Sequence, residues 1–244
     1  MPEGPSIVLA KEDLSRFAGR TVRSATGTAT IDMKKFRGSI LRETASWGKH
    51  LLLVFDGFFV RVHFLMFGKY LVNARREVPH RLRLRFAGGG EINFYTCSVV
   101  MADGSPDDVY RWDEDVMAEH WNTRGVRARL KKIPNALICD ALMDQSIFPG
   151  LGNIMKNEVL YRTQIHPASV TGSIPPEKLT QLIKCVRSYA FQFLEQRRQG
   201  TLKKNWQVYA RRQCRRDDAA IVKAYPGVTA RRSFFCSRCQ VLYS

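Results

Sequence analysis

Arg81-Leu82-Arg83-Leu84-Arg85-Phe86 alternates charged and apolar residues at every position. A period of two puts the three apolar side chains on one face, so the stretch reads as a strand buried on one side only. Working outward from it, the same half of the chain carries further short runs rich in strand formers. They lie at 21–32, 51–55, 58–64, 69–73 and 91–96, with Asp56-Gly57 and Gly88-Gly89-Gly90 as turns among them. Ahead of them Ile7, Val8, Leu14 and Phe17 predict a short helix that stops at Gly19. Many short strands in succession predict a sandwich or a barrel.

In the second half the period changes. Over 173–198, Leu179, Leu182, Ile183, Val186, Tyr189, Ala190, Phe193 and Leu194 fall at helical spacing, with Ser173 available as a cap and Pro175-Pro176 in the first turn. Shorter helices are predicted over 135–147 and 154–163, joined by Phe148-Pro149-Gly150-Leu151-Gly152-Asn153. Glycines let a backbone approach a ligand closely, and a helix start offers N–H groups to anions, so this turn reads either as a phosphate cradle or as a plain connection. The basic stretch Arg124–Lys132, ended by Pro134, reads as a linker. The expected organisation is a β-rich domain over 1–120, a linker over 121–133, a helical domain over 134–207 and a small finger over 208–244.

Composition narrows the partners. The chain has 244 residues, 39 Lys and Arg against 22 Asp and Glu, and a net charge of +17. The hydrophobic content of 45% is that of a globular protein, and no apolar run approaches the roughly 20 residues that span a bilayer. The start, Met1-Pro2-Glu3-Gly4-Pro5, lacks the basic and apolar regions of a signal peptide, so a cytoplasmic, nucleoid-associated protein is expected. Such a positive charge favours a polyanion, because Lys and Arg that neutralise phosphates release counterions. More than half of it lies in 197–244, where twelve Lys and Arg face only Asp217 and Asp218. Trp206, Tyr209, Tyr225, Phe234 and Phe235 are interleaved with those cations, as in a folded nucleic-acid-binding module.

Of the six cysteines, Cys97, Cys139 and Cys185 stand singly in apolar surroundings and read as small buried hydrophobes. Cys214 and the pair Cys236-Ser237-Arg238-Cys239 suggest metal more than a disulfide framework. A tetrahedral zinc site needs a fourth ligand, and the residue three after Cys214 is Asp217, a less common donor. Zinc and a finger held by its own apolar contacts both stay open at this point.

Several motifs belong together. They are Pro2-Glu3-Gly4-Pro5, Trp47-Gly48-Lys49, His63-Phe64-Leu65-Met66-Phe67-Gly68, Gly150-Leu151-Gly152-Asn153 with Asn157-Glu158, and Arg231-Arg232-Ser233-Phe234-Phe235-Cys236-Ser237-Arg238-Cys239. In this order and spacing, from residue 2 to about 240, the chain resembles the formamidopyrimidine-DNA glycosylase / endonuclease VIII family. The resemblance implies an α+β fold: an N-terminal β-sandwich with a leading helix, a helix–two-turn–helix domain and a zinc or zincless β-hairpin finger. It implies a monomer acting on damaged double-stranded DNA held between the domains, with no catalytic cofactor and at most one structural zinc, on Cys214, Asp217, Cys236 and Cys239.

The chemistry so implied starts at Pro2. With Met1 removed, Pro2 carries a secondary amine, and an α-amino group, with a pKa of roughly 8, is partly free near neutral pH. It can attack C1′ of a damaged nucleotide and form an imine. Glu3 resembles the family's general acid and base, and Lys49 the lysine that contacts a phosphate beside the lesion and assists elimination. His63, Asn153 and Arg231 resemble backbone contacts, and Arg232 competes with Arg231 for the finger's phosphate grip. Leu65, Met66 and Phe67 stand where the family inserts a wedge into the duplex, offsetting the cost of flipping a nucleotide out. For Glu158 a cap or buried ion pair is expected rather than catalysis.

Three departures bear on substrate. Ser6 stands where the family usually carries Glu, which bears on base excision but leaves Pro2 and Glu3 intact. Asp217 replaces the second finger cysteine. The connection Gln199–Val208 is short, and with the contiguous wedge it is more like the endonuclease VIII branch, pointing to oxidised pyrimidines and abasic sites. The alternatives are an oxidised-purine glycosylase of the same family and a non-catalytic lesion-binding protein.

Overall fold

The computed structural model describes residues 2–244; Met1, whose removal the amine chemistry requires, lies outside them. The chain divides into two compact units, one running to Trp112 and one starting at Asp113.

The first unit opens with α1 (Gly4–Leu14), N-capped by Glu3 and with Pro5 in its first turn. Its strands are β1 (Arg20–Thr26), β2 (Ile40–Leu41), β3 (Glu43–Trp47), β4 (His50–Phe55), β5 (Phe58–His63), β6 (Lys69–Val72), β7 (Leu82–Phe86), β8 (Glu91–Tyr95) and β9 (Ser98–Asp103). One sheet has the order β2-β1-β7-β8-β6 and the other β3-β4-β5-β9, with every pairing antiparallel. Leu82, Leu84 and Phe86 of β7 enter a core shared with Leu51, Leu53, Val60 and Val62 of the other sheet and Ile7, Ala10 and Leu14 of α1. The fold is therefore a β-sandwich with a leading helix.

Arg83 and Arg85 take the opposite face of β7, as the alternation requires. Arg83 donates to Asn93 Oδ1 at 2.6 Å, and Arg85 meets Glu91 at 3.3 Å. Arg75 forks onto the same Glu91 carboxylate at 2.7 and 2.8 Å, and chiefly through those bonds lowers its pKa to about 2. The four-stranded sheet is covered on its second face too, where Leu52 and Phe59 pack with Tyr110, Trp47 and Val54. Burial on both faces is why 51–55 is continuously apolar instead of alternating. Strands β2, β3 and β9 lie outside the predicted runs. The run expected over 21–32 stops at Thr26, because Gly27 (φ 154°) passes so close to Arg81 that a Cβ there would lie 2.2 Å from its carbonyl oxygen.

The second unit holds α2 (Thr123–Lys131), α3 (Ile138–Ala141), α4 (Asn153–Thr163), α5 (Pro176–Arg198), α6 (Leu202–Asn205) and a hairpin of β10 (Val222–Ala224) with β11 (Ser233–Phe235). Its core gathers Leu182, Ile183, Val186, Tyr189, Ala190 and Phe193 from α5 around Met155, Val159 and Leu160 of α4. Pro175, not Ser173, is the N-cap of α5, and it makes no side-chain capping bond. The helix expected over 135–147 shortens to α3, and Asp144 accepts from the backbone N–H and the hydroxyl of Ser146 within the turns beyond it.

Two boundary expectations are corrected. The stretch read as a linker is α2, capped by the Asn122 side chain on Gly125 N–H at 2.9 Å, with Val126 and Leu130 buried one turn apart. Residues 113–120, placed with the first domain, belong to the second unit. Val116 is in its core, and Arg187 of α5 donates to the carbonyls of Val116, Ala118 and Glu119. No helix among the described residues is long and apolar enough to cross a membrane.

Leu130→Ala tests the reassignment. Truncating a buried leucine costs about 2–5 kcal/mol, so urea unfolding should show a clear loss of stability, whereas a true linker residue would leave the midpoint where it was.

Candidate functional site

In the first unit the chain start is anchored, not loose. Glu3 is 1% exposed, and its carbonyl accepts from Ser6 N–H at 2.7 Å and Ile7 N–H at 3.3 Å, fixing Pro2 at the mouth of α1. Helix α1 packs on β3 and β4. Those strands are joined by the two-residue turn Gly48-Lys49, where Gly48 takes φ 56° and Trp47 pairs with His50. Lys49 is buried. It lies close enough to His63, at the end of β5, to help lower that imidazole's pKa, after burial and together with Arg61. His50, beside His63 on β4, falls to about 4, mainly through burial, and its Nδ1 lies 3.2 Å from the Tyr110 hydroxyl. Both rings are therefore neutral at neutral pH. Leu65 N–H donates to His63 Nδ1 at 3.2 Å, which leaves the ring proton on Nε2 as a donor.

Beyond His63 the chain turns tightly, with Gly68 N–H donating to Phe64 O at 2.7 Å. Gly68 approaches so closely that a Cβ would lie 2.2 Å from the Phe64 oxygen. The turn presents Leu65, Met66 and Phe67 to solvent at 47%, 51% and 75% exposure, with Leu65 held at φ 51°. Three adjacent exposed apolar side chains on one turn are a contact surface, not core.

In the second unit α4 carries a row of polar side chains directed at the finger. Asn153 Nδ2 donates to Arg232 O at 3.0 Å, and its Oδ1 is buried with no hydrogen-bond partner among the described residues. Lys156, 1% exposed, donates to Ser233 Oγ at 2.8 Å and Arg232 O at 3.3 Å. Asn157 Oδ1 accepts from Phe234 N–H at 2.6 Å. These bonds fix the backbone of Arg231 and Arg232. Arg231 is half-buried, while Arg232 is exposed and, by hydrogen bonding, lowers the pKa of the Tyr225 phenol. Glu158, fully buried, accepts from the N–H groups of Gln207, Val208 and Tyr209 at 2.9–3.0 Å and lies 3.9 Å from Arg162. Gln145 closes the Gly150–Asn153 turn, accepting from Gly150 N–H and donating to Leu151 O.

The finger brings Cys214, Asp217, Cys236 and Cys239 together, with one ligand atom from each lying within 4.8 Å of the others. Cys214 Sγ and Cys239 Sγ are 3.8 Å apart, and Cys236 Sγ lies 3.3 Å from Asp217 Oδ2. A tetrahedral ion with Zn–S bonds of about 2.3 Å has S···S edges of roughly 3.8 Å and a shorter edge to oxygen. The four residues can therefore hold a metal ion.

Two family models match. The formamidopyrimidine-DNA glycosylase N-terminal domain takes in residues 1–97, and the formamidopyrimidine-DNA glycosylase H2TH domain residues 113–203. The chain belongs to the formamidopyrimidine-DNA glycosylase / endonuclease VIII family. Endonuclease 8-like 3 of Xenopus laevis is 28% identical over 232 residues, covering 90% of this chain and 38% of the relative. Endonuclease 8-like 2 of Bos taurus is 32% identical over 197 residues, covering 74% of this chain and 58% of the relative. The chain thus spans well under two thirds of the length of these curated relatives. Among solved structures, Lactococcus lactis formamidopyrimidine-DNA glycosylase, bound non-covalently to DNA containing an abasic site, superposes with a TM-score of 0.85 at 24% identity. That match covers 98% of this chain and 99% of that one. A viral DNA glycosylase gives 0.83 at 19%, covering 98% of this chain and 100% of its own. These structural likenesses establish the fold.

Against this family background the sequence reading missed Lys156. Its run, Asn153-Ile154-Met155-Lys156-Asn157-Glu158, gives no hint that the lysine is buried, because the acceptors it meets lie more than seventy residues away. Glu158 was expected as a cap or ion pair, and it acts as an acceptor for a distant backbone turn. Glu158→Ala should leave three N–H groups without their carboxylate and cost about 3 kcal/mol, read as a fall in urea midpoint. An unchanged midpoint would mean that solvent or another side chain satisfies residues 207–209.

Proposed function

We propose that this chain is a bifunctional DNA glycosylase and abasic-site lyase that removes oxidised bases, chiefly pyrimidines, from damaged double-stranded DNA. The observation that carries the reading is the buried Glu3 carboxylate next to Pro2 at a rigid helix start. With Met1 removed, the Pro2 nitrogen bonds to C1′ as the glycosidic bond breaks and the base departs with a proton. Opening of the sugar gives an iminium ion. That ion acidifies the C2′ proton, whose removal expels the 3′-phosphate, and a second elimination expels the 5′-phosphate. Glu3, sheltered from bulk water, is placed to carry these protons. Lys49 is the cation for a phosphate beside the reacting sugar, and the His63 Nε2–H is a neutral donor to the backbone.

The exposed Leu65, Met66 and Phe67 suit insertion into the gap left by a flipped nucleotide. Arg231 and Arg232 suit phosphates, the natural partners of a guanidinium fork. Asn153 supports that contact through the finger backbone, since its amide nitrogen is already committed to Arg232 O. The names of the relatives, endonuclease 8-like, favour the pyrimidine branch. So does the short α5-to-finger connection, which Glu158 pins at 207–209 and which leaves little chain to fold over a purine.

Borohydride reduction tests the mechanism, because hydride converts the iminium ion to a stable amine. Duplex DNA carrying an oxidised pyrimidine or an abasic site should yield a covalent adduct that maps to Pro2. Trapping with the abasic site alone would mean that Ser6 has cost the excision step. Trapping with an oxidised purine but not a pyrimidine would select the other branch. Tight binding without any adduct would make the chain a non-catalytic lesion binder.

The finger is proposed to hold one structural zinc on Cys214, Asp217, Cys236 and Cys239. It would cross-link the two halves of a module with little apolar core, and it takes no part in the chemistry at Pro2. Purified chain should contain zinc by elemental analysis, and chelation should lower its Tm. Asp217→Cys should retain the metal and Asp217→Ala should lose it. A metal-free chain whose melting is indifferent to Asp217→Ala would refute the assignment.

A further inference from the structure

The finger loop between β10 and β11 carries Arg231 and Arg232 but has almost nothing apolar to hold it. Tyr225 is 53% exposed and Val228 94% exposed, and the finger's small apolar cluster draws on residues outside the loop, among them Val208, Cys214, Ile221 and Cys236. What meets the loop instead is Asp140 of α3. Its Oδ2 accepts from Val228 N–H at 2.9 Å, and its Oδ1 accepts from Thr229 N–H at 3.1 Å and from the Thr229 hydroxyl at 2.5 Å. Both carboxylate oxygens are thus used, and the geometry is that of an anion gripped by successive backbone N–H groups. The fit is close. Gly227 takes φ 78°, and a Cβ on it would lie 2.1 Å from Asp140 Oδ2. Two residues beyond the gripped turn stand Arg231 and Arg232, and immediately past them the Lys156, Asn153 and Asn157 bonds take hold. The arginine pair is therefore suspended between two polar anchors, one on α3 and one on α4.

We propose that Asp140 is a positioning residue for nucleic-acid binding. Its carboxylate fixes the 227–229 turn so that Arg231 and Arg232 meet phosphates already ordered. Without it the loop would keep only the α4 bonds and the weak Cys139 Sγ–Pro226 O contact at 3.8 Å, and ordering it would count against binding. The inference rests on the reading above that this arginine pair contacts DNA. The latch belongs to the second unit, whereas Pro2 and the residues proposed for chemistry with it belong to the first.

The test is a set of binding titrations on the full chain, using an undamaged fluorescent duplex and one with a reduced abasic site, each at several salt concentrations. Arg231→Ala should weaken binding and reduce the slope of log K against log salt by about 1. Asp140→Ala should reproduce both effects, weakening binding roughly fivefold or more near 0.15 M salt. Asp140→Asn keeps the shape and one acceptor oxygen, and should fall between Asp140→Ala and wild type. In an Arg231→Ala, Arg232→Ala background Asp140→Ala should add at most about twofold, because residues acting through one contact are not additive. Zinc content and Tm, read in parallel, separate positioning from folding. A Tm loss with a wild-type salt slope in both Asp140 variants would overturn the proposal. A full additive effect in the arginine-free background would do the same, since Asp140 would then act on something else. Wild-type binding by the Arg231 and Arg232 variants themselves would overturn the DNA-contact reading and this inference with it. Should Asp140→Ala not fold, Asp140→Asn decides alone, by whether its salt slope drops.

Discussion

The finger in this protein is too small to hold itself together, and the rest of the second unit is built around that constraint. Its apolar cluster is built on buried Tyr161, Val208, Cys214 and Cys236, with Phe235 buried beside His166, and Tyr161 is lent by α4. A module of this size buries too little surface to offset the entropy of ordering its chain. Helix α4 supplies what is missing in polar form. Asn153, Lys156 and Asn157 take the strand that begins at Ser233, and Glu158 takes the turn at 207–209. Apart from Asn153 Oδ1, these buried polar groups are paired, and each one left alone would carry its whole desolvation cost. The α4–finger contact is therefore close to all-or-none, and the arginines at the finger's loop inherit their placement from it.

The first unit solves a different problem, holding the chain start and an exposed apolar turn on one rigid body. Both sheets are packed on the shared core, and the four-stranded sheet is covered on its second face by Tyr110 and its neighbours. Strands β4 and β5 can then end in short connections without fraying. The Gly48-Lys49 turn closes one end of β4, and the 64–68 turn leaves the end of β5 that pairs with it. Lys49 and His63 are neighbours for that reason, and the apolar triplet follows two residues later. Exposure of Leu65, Met66 and Phe67 is costly in water, and the cost is tolerable only because the turn beneath them is fixed by Gly68 and His63.

Much of this was legible in the sequence where local pattern and tertiary burial agree. The alternation at 81–86 gave β7 its faces, and the spacing over 173–198 gave the buried stripe of α5. Where burial is set by distant segments, the reading failed. Strand β3 opens on the polar pair Glu43-Thr44, which becomes strand through its pairing with β4 rather than through its own apolar content. The α2 segment looked like a linker because six of the ten residues 123–132 are polar or charged. Two well-placed apolar residues, Val126 and Leu130, are enough to seat it. The candidate site residues stand in motifs, each motif being a local requirement such as a turn or a helix start. Asp140 and Lys156 belong to no motif, because their partners lie far along the chain and nothing beside them in sequence marks them.

Charge ties the finger's folding to its surface. Residues 211–216 alone carry Arg211, Arg212, Arg215 and Arg216, and cations at this density repel one another across a small module. Asp218 stays exposed, but three of the opposing groups are drawn inward. Glu158 is fully buried, Asp217 faces Cys236, and Asp140 is folded against the loop. Arg216 in turn lies over the Tyr161 ring at 3.8 Å and donates to the Tyr161 carbonyl at 2.5 Å, so one of the cations is itself part of the α4 contact. Anions turned inward stabilise the fold at short range, where they hydrogen-bond to backbone and side chains. They leave the outward field positive at the longer range over which phosphates are attracted. A carboxylate at position 217 fits this arrangement, since it keeps a negative group beside the three cysteines. A finger assembled this way can be strongly basic without being unstable, because, Arg216 apart, the groups that fold it are not the groups it presents.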